Sequence, residues 1–219
     1  MNLGEIKAVV FDIDGTLYRS QEYERHLYLM IVKTISWFTG LDIQQAAERL
    51  RQEKYKHRTV SRSVEAMGID RRMFFDKLAE HVEPGKYIAK NPEAIAVLNT
   101  LRRRGYKIAL HTNSGRKLAE KVLEAIGIGD NCYDVLITSD EAEPKPSQEG
   151  YLLCAAKLNV KPSEALYVGD RPEVELKPAK EMGMKTALIN SQSSAAFIDH
   201  NLRTLEDLLN ILADRRMHT

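Results

Sequence analysis

Asp12 and Asp14 stand two residues apart at the end of a short apolar run, in the string Asp12-Ile13-Asp14-Gly15-Thr16-Leu17. Carboxylates at that spacing can divide labour, one as nucleophile and metal ligand, the other as general acid and base. Gly15 lets the backbone turn away and leaves room for a phosphate. Three further clusters supply what such a reaction needs. His111-Thr112-Asn113-Ser114-Gly115 sets a hydroxyl before backbone N–H groups that enter a helix, which makes a phosphate cradle. Glu143-Pro144-Lys145-Pro146-Ser147 holds one lysine between prolines. The restricted backbone presents an ammonium that can neutralise a phosphate or hold a nucleophilic carboxylate. In Val168-Gly169-Asp170-Arg171-Pro172-Glu173-Val174-Glu175, an acid follows a glycine, and Asp170 can complete an oxygen-ligand Mg2+ site with Asp12.

Taken singly, each cluster has a plainer reading. The first is an Asx-type turn with two exposed acids, and the second a helix capped by Asn113 or Ser114. The third is a surface lysine in a loop, and Glu173 and Glu175 favour a helix N-terminus. The joint order points to chemistry: acids, hydroxyl, lysine and a further acid follow successive strand candidates. His111 is read as a packing residue and not as a base.

The elements that must position these groups follow from hydrophobic period. Lys7 to Ile13 is a buried-strand run. After Pro84-Gly85 the pattern alternates. Helices are predicted over Pro92–Arg104, Arg116–Ile126 (closed by Gly127), Ser147–Leu158, Glu173–Met182 (closed by Gly183) and Leu205–Asp214. Strands are predicted over Tyr106–His111, Asp134–Thr138, Ala165–Val168 and Lys185–Ile189. Such alternation predicts an α/β protein with a three-layer α/β/α, Rossmann-like parallel sheet, and ligands then sit at the carboxyl ends of the strands.

One stretch breaks the rule. From Ser20 to about Glu83 apolar residues keep helical spacing with no convincing strand. Leu27, Met30, Ile31, Thr34, Ile35 and Phe38 form one face, ended by Gly40, and Ile43, Ala46, Ala47 and Leu50 a second. Val64 with Met67, then Phe74, Phe75 and Leu78, mark two more. The expected organisation is a catalytic core of residues 1–19 and 84–219, with a helical module of residues 20–83 inserted after the first strand.

The chain has 219 residues, 43% hydrophobic and 29% charged, with a formal net charge of +1. That balance gives no bulk attraction to nucleic acid or to a membrane. Cys132 and Cys154 match no metal or redox spacing and are read as free thiols in a reducing compartment. Asp12 and Asp14 interrupt the only apolar run near the N-terminus, and no stretch is long enough to span a bilayer. The expectation is a cytoplasmic protein whose partner is a small phosphorylated metabolite, with oligomeric state unassigned.

These residues resemble the haloacid dehalogenase superfamily of phosphohydrolases along the whole chain. They are most similar to its branch with a helical cap, which includes phosphoglycolate phosphatases and β-phosphoglucomutases. Asp12–Leu17 matches the DxDGTL first motif, Thr112 the second, Lys145 the third, and Asp170 with Glu175 the fourth. The resemblance implies Asp12 as nucleophile and metal ligand. Asp14 would protonate the leaving oxygen and later activate water, while its backbone carbonyl binds Mg2+. Thr112, the Asn113 backbone and Lys145 would hold the phosphoryl group, and Asp170 would complete the metal site. Glu175 stands where the family usually has Asp, and its longer arm would reach the metal only through water. Dehalogenases of the family lack an acid at the Asp14 position, because a halide leaving group needs no proton. Asp14 therefore favours phosphate esters.

The implied reaction is Mg2+-dependent hydrolysis of small phosphate monoesters through an aspartyl-phosphate. A sugar phosphomutase using the same site is the alternative. A non-catalytic regulatory protein is a further reading, but it would be expected to lose Asp12, Asp14, Lys145 or Asp170. The basic group Lys54, Lys56, His57 and Arg58 reads as a substrate grip or as a solvated helix end.

Overall fold

The structure is a computed structural model that describes residues 6–212. Its centre is a six-stranded sheet: β1 (Ala8–Phe11), β2 (Lys107–His111), β3 (Val135–Ile137), β4 (Ala165–Gly169), β5 (Lys185–Ile189) and β6 (His200–Leu202). The spatial order is β3-β2-β1-β4-β5-β6 and every pairing is parallel. All four side chains of β1 are buried, as a strand covered on both faces requires. Val9 and Phe11 join the apolar body on one face, and Ala8 and Val10 the body on the other.

Helices α5 (Pro92–Arg103), α6 (Arg116–Ile126) and α9 (Asp207–Ile211) cover the first face. The second is covered by α7 (Glu149–Lys157) and α8 (Lys177–Glu181). In α6, Leu118, Val122, Leu123 and Ile126 recur at helical spacing and are buried. Each such side chain removed from water contributes about 2 kcal/mol. Gly127 ends this helix, as expected.

Between β1 and β2 lie α1 (Gln21–Thr39), α2 (Ile43–His57), α3 (Val60–Ala66) and α4 (Arg71–His81), all before α5. Ser20 caps α1 by accepting from the Tyr23 N–H, and Asp42 with Gln45 forms a capping box on α2. Ile31, Ile35, Leu50, Val64, Phe74 and Leu78 are buried in the same apolar body as the first sheet face. Helix α4 packs on α6, where the Lys121 ammonium donates to the Ala79 and Val82 carbonyls.

Three sequence expectations are corrected. β6 went unpredicted, because it has three residues and only Leu202 is buried. The helix expected over Ser147–Leu158 starts at Glu149, after a turn in which the Ser147 N–H donates to the Pro144 carbonyl. The helix expected over Glu173–Met182 is split. Pro172–Leu176 forms a wide π-type turn, with the Lys177 N–H reaching the Pro172 carbonyl, before α8 begins. Pro178 has no N–H to give the Val174 carbonyl, and the Tyr151 hydroxyl donates there instead. The last helix is described as Asp207–Ile211, and Asp214, where it was expected to end, lies outside the described residues.

Candidate active site

β1 lies between β2 and β4, so the crossovers leave it on opposite sides, and the crevice beyond its carboxyl end is the topological switch point of the sheet. Asp12 directly follows β1, and its N–H donates to the Val168 carbonyl at 2.9 Å. Thr112 follows β2, Asp170 follows β4, and Lys145 lies in the segment after β3. The fold therefore brings all four clusters to one edge.

Lys145 is fully buried, and its ammonium is the hub. It donates to Asp12 Oδ1 at 2.5 Å, Glu175 Oε1 at 3.1 Å, the His111 carbonyl at 3.1 Å and the Tyr167 hydroxyl at 3.3 Å. Glu175, also fully buried, accepts from Arg171 Nε at 2.9 Å and Nη2 at 2.6 Å. Burial pushes the Glu175 carboxyl up, but Lys145 and Arg171 overcome it and bring the pKa down to about 2. Burial also opposes the charge on Lys145, but Asp12 and Glu175 hold its pKa above the usual value. Burial and then Lys145 push His111 well below its ordinary value, so it stays neutral, in keeping with a packing role.

Asp12 and Asp170 have the opposite problem. Burial, then the Glu175 carboxylate, raises Asp12 to about 8 and Asp170 to about 6. Asp12 Oδ2 and Asp170 Oδ1 are buried without a hydrogen-bond partner. Oxygens of Asp12, Asp170 and Glu175 lie within 4.8 Å of one another. Three carboxylates face two cations, Lys145 and Arg171, and two carboxylate oxygens lack donors. A hard divalent cation fits that deficit, since Mg2+ takes oxygen ligands and needs few from protein. Glu175, expected to reach the metal only through water, also pairs with Lys145 and Arg171.

Asp14 is held from both sides. The Tyr18 hydroxyl donates to Oδ1 at 2.5 Å and the Thr112 hydroxyl to Oδ2 at 3.2 Å. Thr112 also accepts from the Ser114 N–H at 3.1 Å. Asn113 does more than its predicted backbone role. Its side-chain amide donates to the Lys145 carbonyl at 3.0 Å and accepts from the Lys145 N–H at 2.7 Å, which fixes the lysine segment. The Ser61 hydroxyl, from α3, donates to the Asn113 carbonyl at 2.8 Å.

Two glycines make room for this arrangement. At Gly169 a Cβ would lie 2.4 Å from Glu175 Oε2. Gly15 has φ +91°, and a Cβ there would lie 2.3 Å from Asp170 Oδ2. Gly15→Ala should therefore cost about 1–3 kcal/mol from backbone strain and displace the Asp170 carboxylate. Thermal melting checks the first effect. Titration calorimetry with Mg2+ checks the second, expected as at least a tenfold weaker affinity.

A cavity of about 480 Å³ opens over these groups. Asp12, Asp14, Thr112, Asn113 and Asp170 line one end, and Tyr23, Leu27, Ile31, Leu50, Phe75 and Leu78 from the insert line the other. Of the basic group on α2, Lys54 reaches the cavity, whereas Lys56 and His57 pair with Glu53. Sequence reasoning assigned no role to Tyr18, Ser61, Tyr23 or Arg171. Tyr18 lies four residues after Asp14, and Arg171 is next to Asp170. Tyr18 directly follows the first motif and Arg171 lies within the fourth cluster, each four residues from its partner.

Residues 6–183 match the family described as haloacid dehalogenase-like hydrolase. A glyceraldehyde 3-phosphate phosphatase of Methanopyrus kandleri is 29% identical over 207 residues, covering 84% of each chain. A phosphoglycolate phosphatase of Rhodospirillum rubrum is 27% identical over 195 residues, covering 84% of this chain and 79% of that one. The crystal structure of a HAD phosphatase from Thermococcus onnurineus has a TM-score of 0.73 at 29% identity, over 96% of this chain and 100% of that one. With the match running through sheet, insert and crevice alike, this chain belongs to the haloacid dehalogenase-like hydrolase family and is a phosphatase within it.

Proposed function

We propose that this enzyme hydrolyses small phosphate monoesters through an aspartyl-phosphate on Asp12. The observation that carries the reading is the Asp12 carboxylate itself. Lys145 holds Oδ1, while Oδ2 is buried and unpartnered, and Asp14 lines the same cavity as Asp12. Attack by Oδ2 on phosphorus breaks the ester P–O bond, and Asp14 gives its proton to the departing oxygen. Asp14, now a carboxylate aligned by Tyr18 and Thr112, then takes a proton from water. The water oxygen bonds to phosphorus, the Asp12–phosphorus bond breaks, and phosphate leaves.

Thr112, the Asn113 backbone and Lys145 are assigned to the phosphoryl oxygens, with Glu175 holding Lys145 and Arg171 in place. Asp12, Asp170 and the Asp14 backbone carbonyl would hold Mg2+, which supplies charge neutralisation of the phosphoryl group when bound. Residues 20–83 act as a cap that shelters the crevice from bulk water and contacts the leaving group. The phosphate esters named for the two relatives are small, in keeping with a cavity of this size. The buried free thiols Cys132 and Cys154 fit a reducing, cytoplasmic setting.

The test is phosphate release from p-nitrophenyl phosphate with and without EDTA. Chelation should lower the rate at least a hundredfold, and added Mg2+ should restore it. Full activity after thorough chelation would overturn the metal assignment.

A further inference from the structure

Tyr23 stands in the first turn of α1, nine residues beyond Asp14 in the chain. It is 1% exposed, its ring meets that of Tyr18 edge-on at 6.1 Å, and it lines the cavity. Its hydroxyl has no hydrogen-bond partner. A buried hydroxyl left unpaired is unfavourable unless something that enters the cavity completes it.

The rest of the insert's wall narrows what that something is. Leu27, Ile31, Leu50, Val60, Phe75 and Leu78 are apolar. Thr59 and Ser61 are already engaged, Thr59 in capping α3 and Ser61 on the Asn113 carbonyl. Among the described residues on this wall the charged ones are Glu24 and Lys54, both exposed and of opposite sign. Arg171, at the core end, is tied to Glu175. The wall therefore offers no buried cation to a second anionic group, and burying such a group unpaired is strongly unfavourable.

We propose that Tyr23 reads the leaving group, and that the preferred substrates are phosphate monoesters of neutral, partly apolar alcohols bearing at least one further hydroxyl or carbonyl oxygen. The proposal rests on the phosphatase reading above and adds to it the chemical class of the ester and the residue that selects it. Esters with a carboxylate or a second phosphate in the leaving group are disfavoured.

The experiment compares kcat/KM of the full-length enzyme with Mg2+ on three probes. Glycerol 3-phosphate and 3-phosphoglycerate share a skeleton and differ in a terminal hydroxymethyl or carboxylate, and p-nitrophenyl phosphate has no aliphatic hydroxyl. Glycerol 3-phosphate should exceed 3-phosphoglycerate at least tenfold. Tyr23→Phe removes one oxygen and should lower kcat/KM for glycerol 3-phosphate about tenfold, the value of one hydrogen bond, with a smaller fall for p-nitrophenyl phosphate. Equal or better turnover of 3-phosphoglycerate overturns the proposal. So does a parallel loss on both other esters in Tyr23→Phe, or turnover of p-nitrophenyl phosphate alone. No turnover of any probe overturns the phosphatase reading as well.

Discussion

Asp12→Asn should abolish turnover, by on the order of 10⁵-fold, and yet raise the melting temperature of the metal-free protein at pH 7. An amide is a far poorer nucleophile than a carboxylate, which accounts for the first effect. The second follows from linkage. Burial and the Glu175 carboxylate raise the Asp12 pKa from 3.8 to about 8 in the folded protein. The native state therefore holds a proton there more tightly than the unfolded chain does. That stabilisation is complete below pH 4 and is lost as pH rises toward 8. At pH 7 the native state must take up a proton on Asp12 that the unfolded carboxylate does not carry, a cost that the neutral amide removes, and the amide oxygen can still accept from Lys145. Scanning calorimetry in EDTA should show a rise of a few degrees. Mg2+ should then stabilise wild type more than the variant, because it binds the native carboxylate. A lower melting temperature for Asp12→Asn in EDTA would refute the charge argument, and residual activity above 1% would refute the nucleophile.

Lys145→Ala should be the most damaging single change in stability. The lysine is fully buried and serves two buried carboxylates, so its loss leaves Asp12 and Glu175 facing one another with only Arg171 beside them. Removing one partner of a buried ion pair costs about 3–5 kcal/mol. In a chain of this size that lowers the melting temperature by about 10 °C. Activity should fall at least a thousandfold, since the charge that offsets the phosphate is gone. Lys145→Met separates charge from packing. It refills most of the volume, so if charge decides, it melts nearly as low as Lys145→Ala. Adding Glu175→Gln to Lys145→Met should then recover part of the stability and none of the activity. Full recovery by Met alone would mean that the hub is a packing site.

The sheet was legible because each core strand is a short apolar run next to a helix with its own apolar face. β1 to β5 were each expected within a residue or two of where they lie. β6 was not, since three residues with one buried side chain carry no periodic signal. Asp12, Asp14, Thr112, Lys145 and Asp170 were legible for a related reason: a parallel sheet puts strand ends on one edge, so polar clusters there converge. Glu175 was harder. Read as part of a continuous helix it sits near an N-terminus, whereas the π-type turn rotates it inward onto Lys145. The Tyr18–Asp14 and Ser61–Asn113 bonds lie outside any motif. Ser61 reaches its partner across 52 positions of chain, and local spacing is blind to such distances.

The place of β1 in the sheet also fixes an order in time. Ala8 pairs with Lys107 on one side and with Ala165 on the other. A chain made from its N-terminus onward produces β1 well before β2 and β4, the two strands that flank it in the sheet. In the interval α1 to α4 can form from local contacts, which close quickly, while Val9, Val10 and Phe11 wait without cover. Asp12 gains Lys145 and Asp170 only after β2, β3 and β4 have been made. The earliest-made residue of the candidate site is thus among the last to reach its final surroundings, and no chain that stops short of β4 carries the charge arrangement assembled around Asp12.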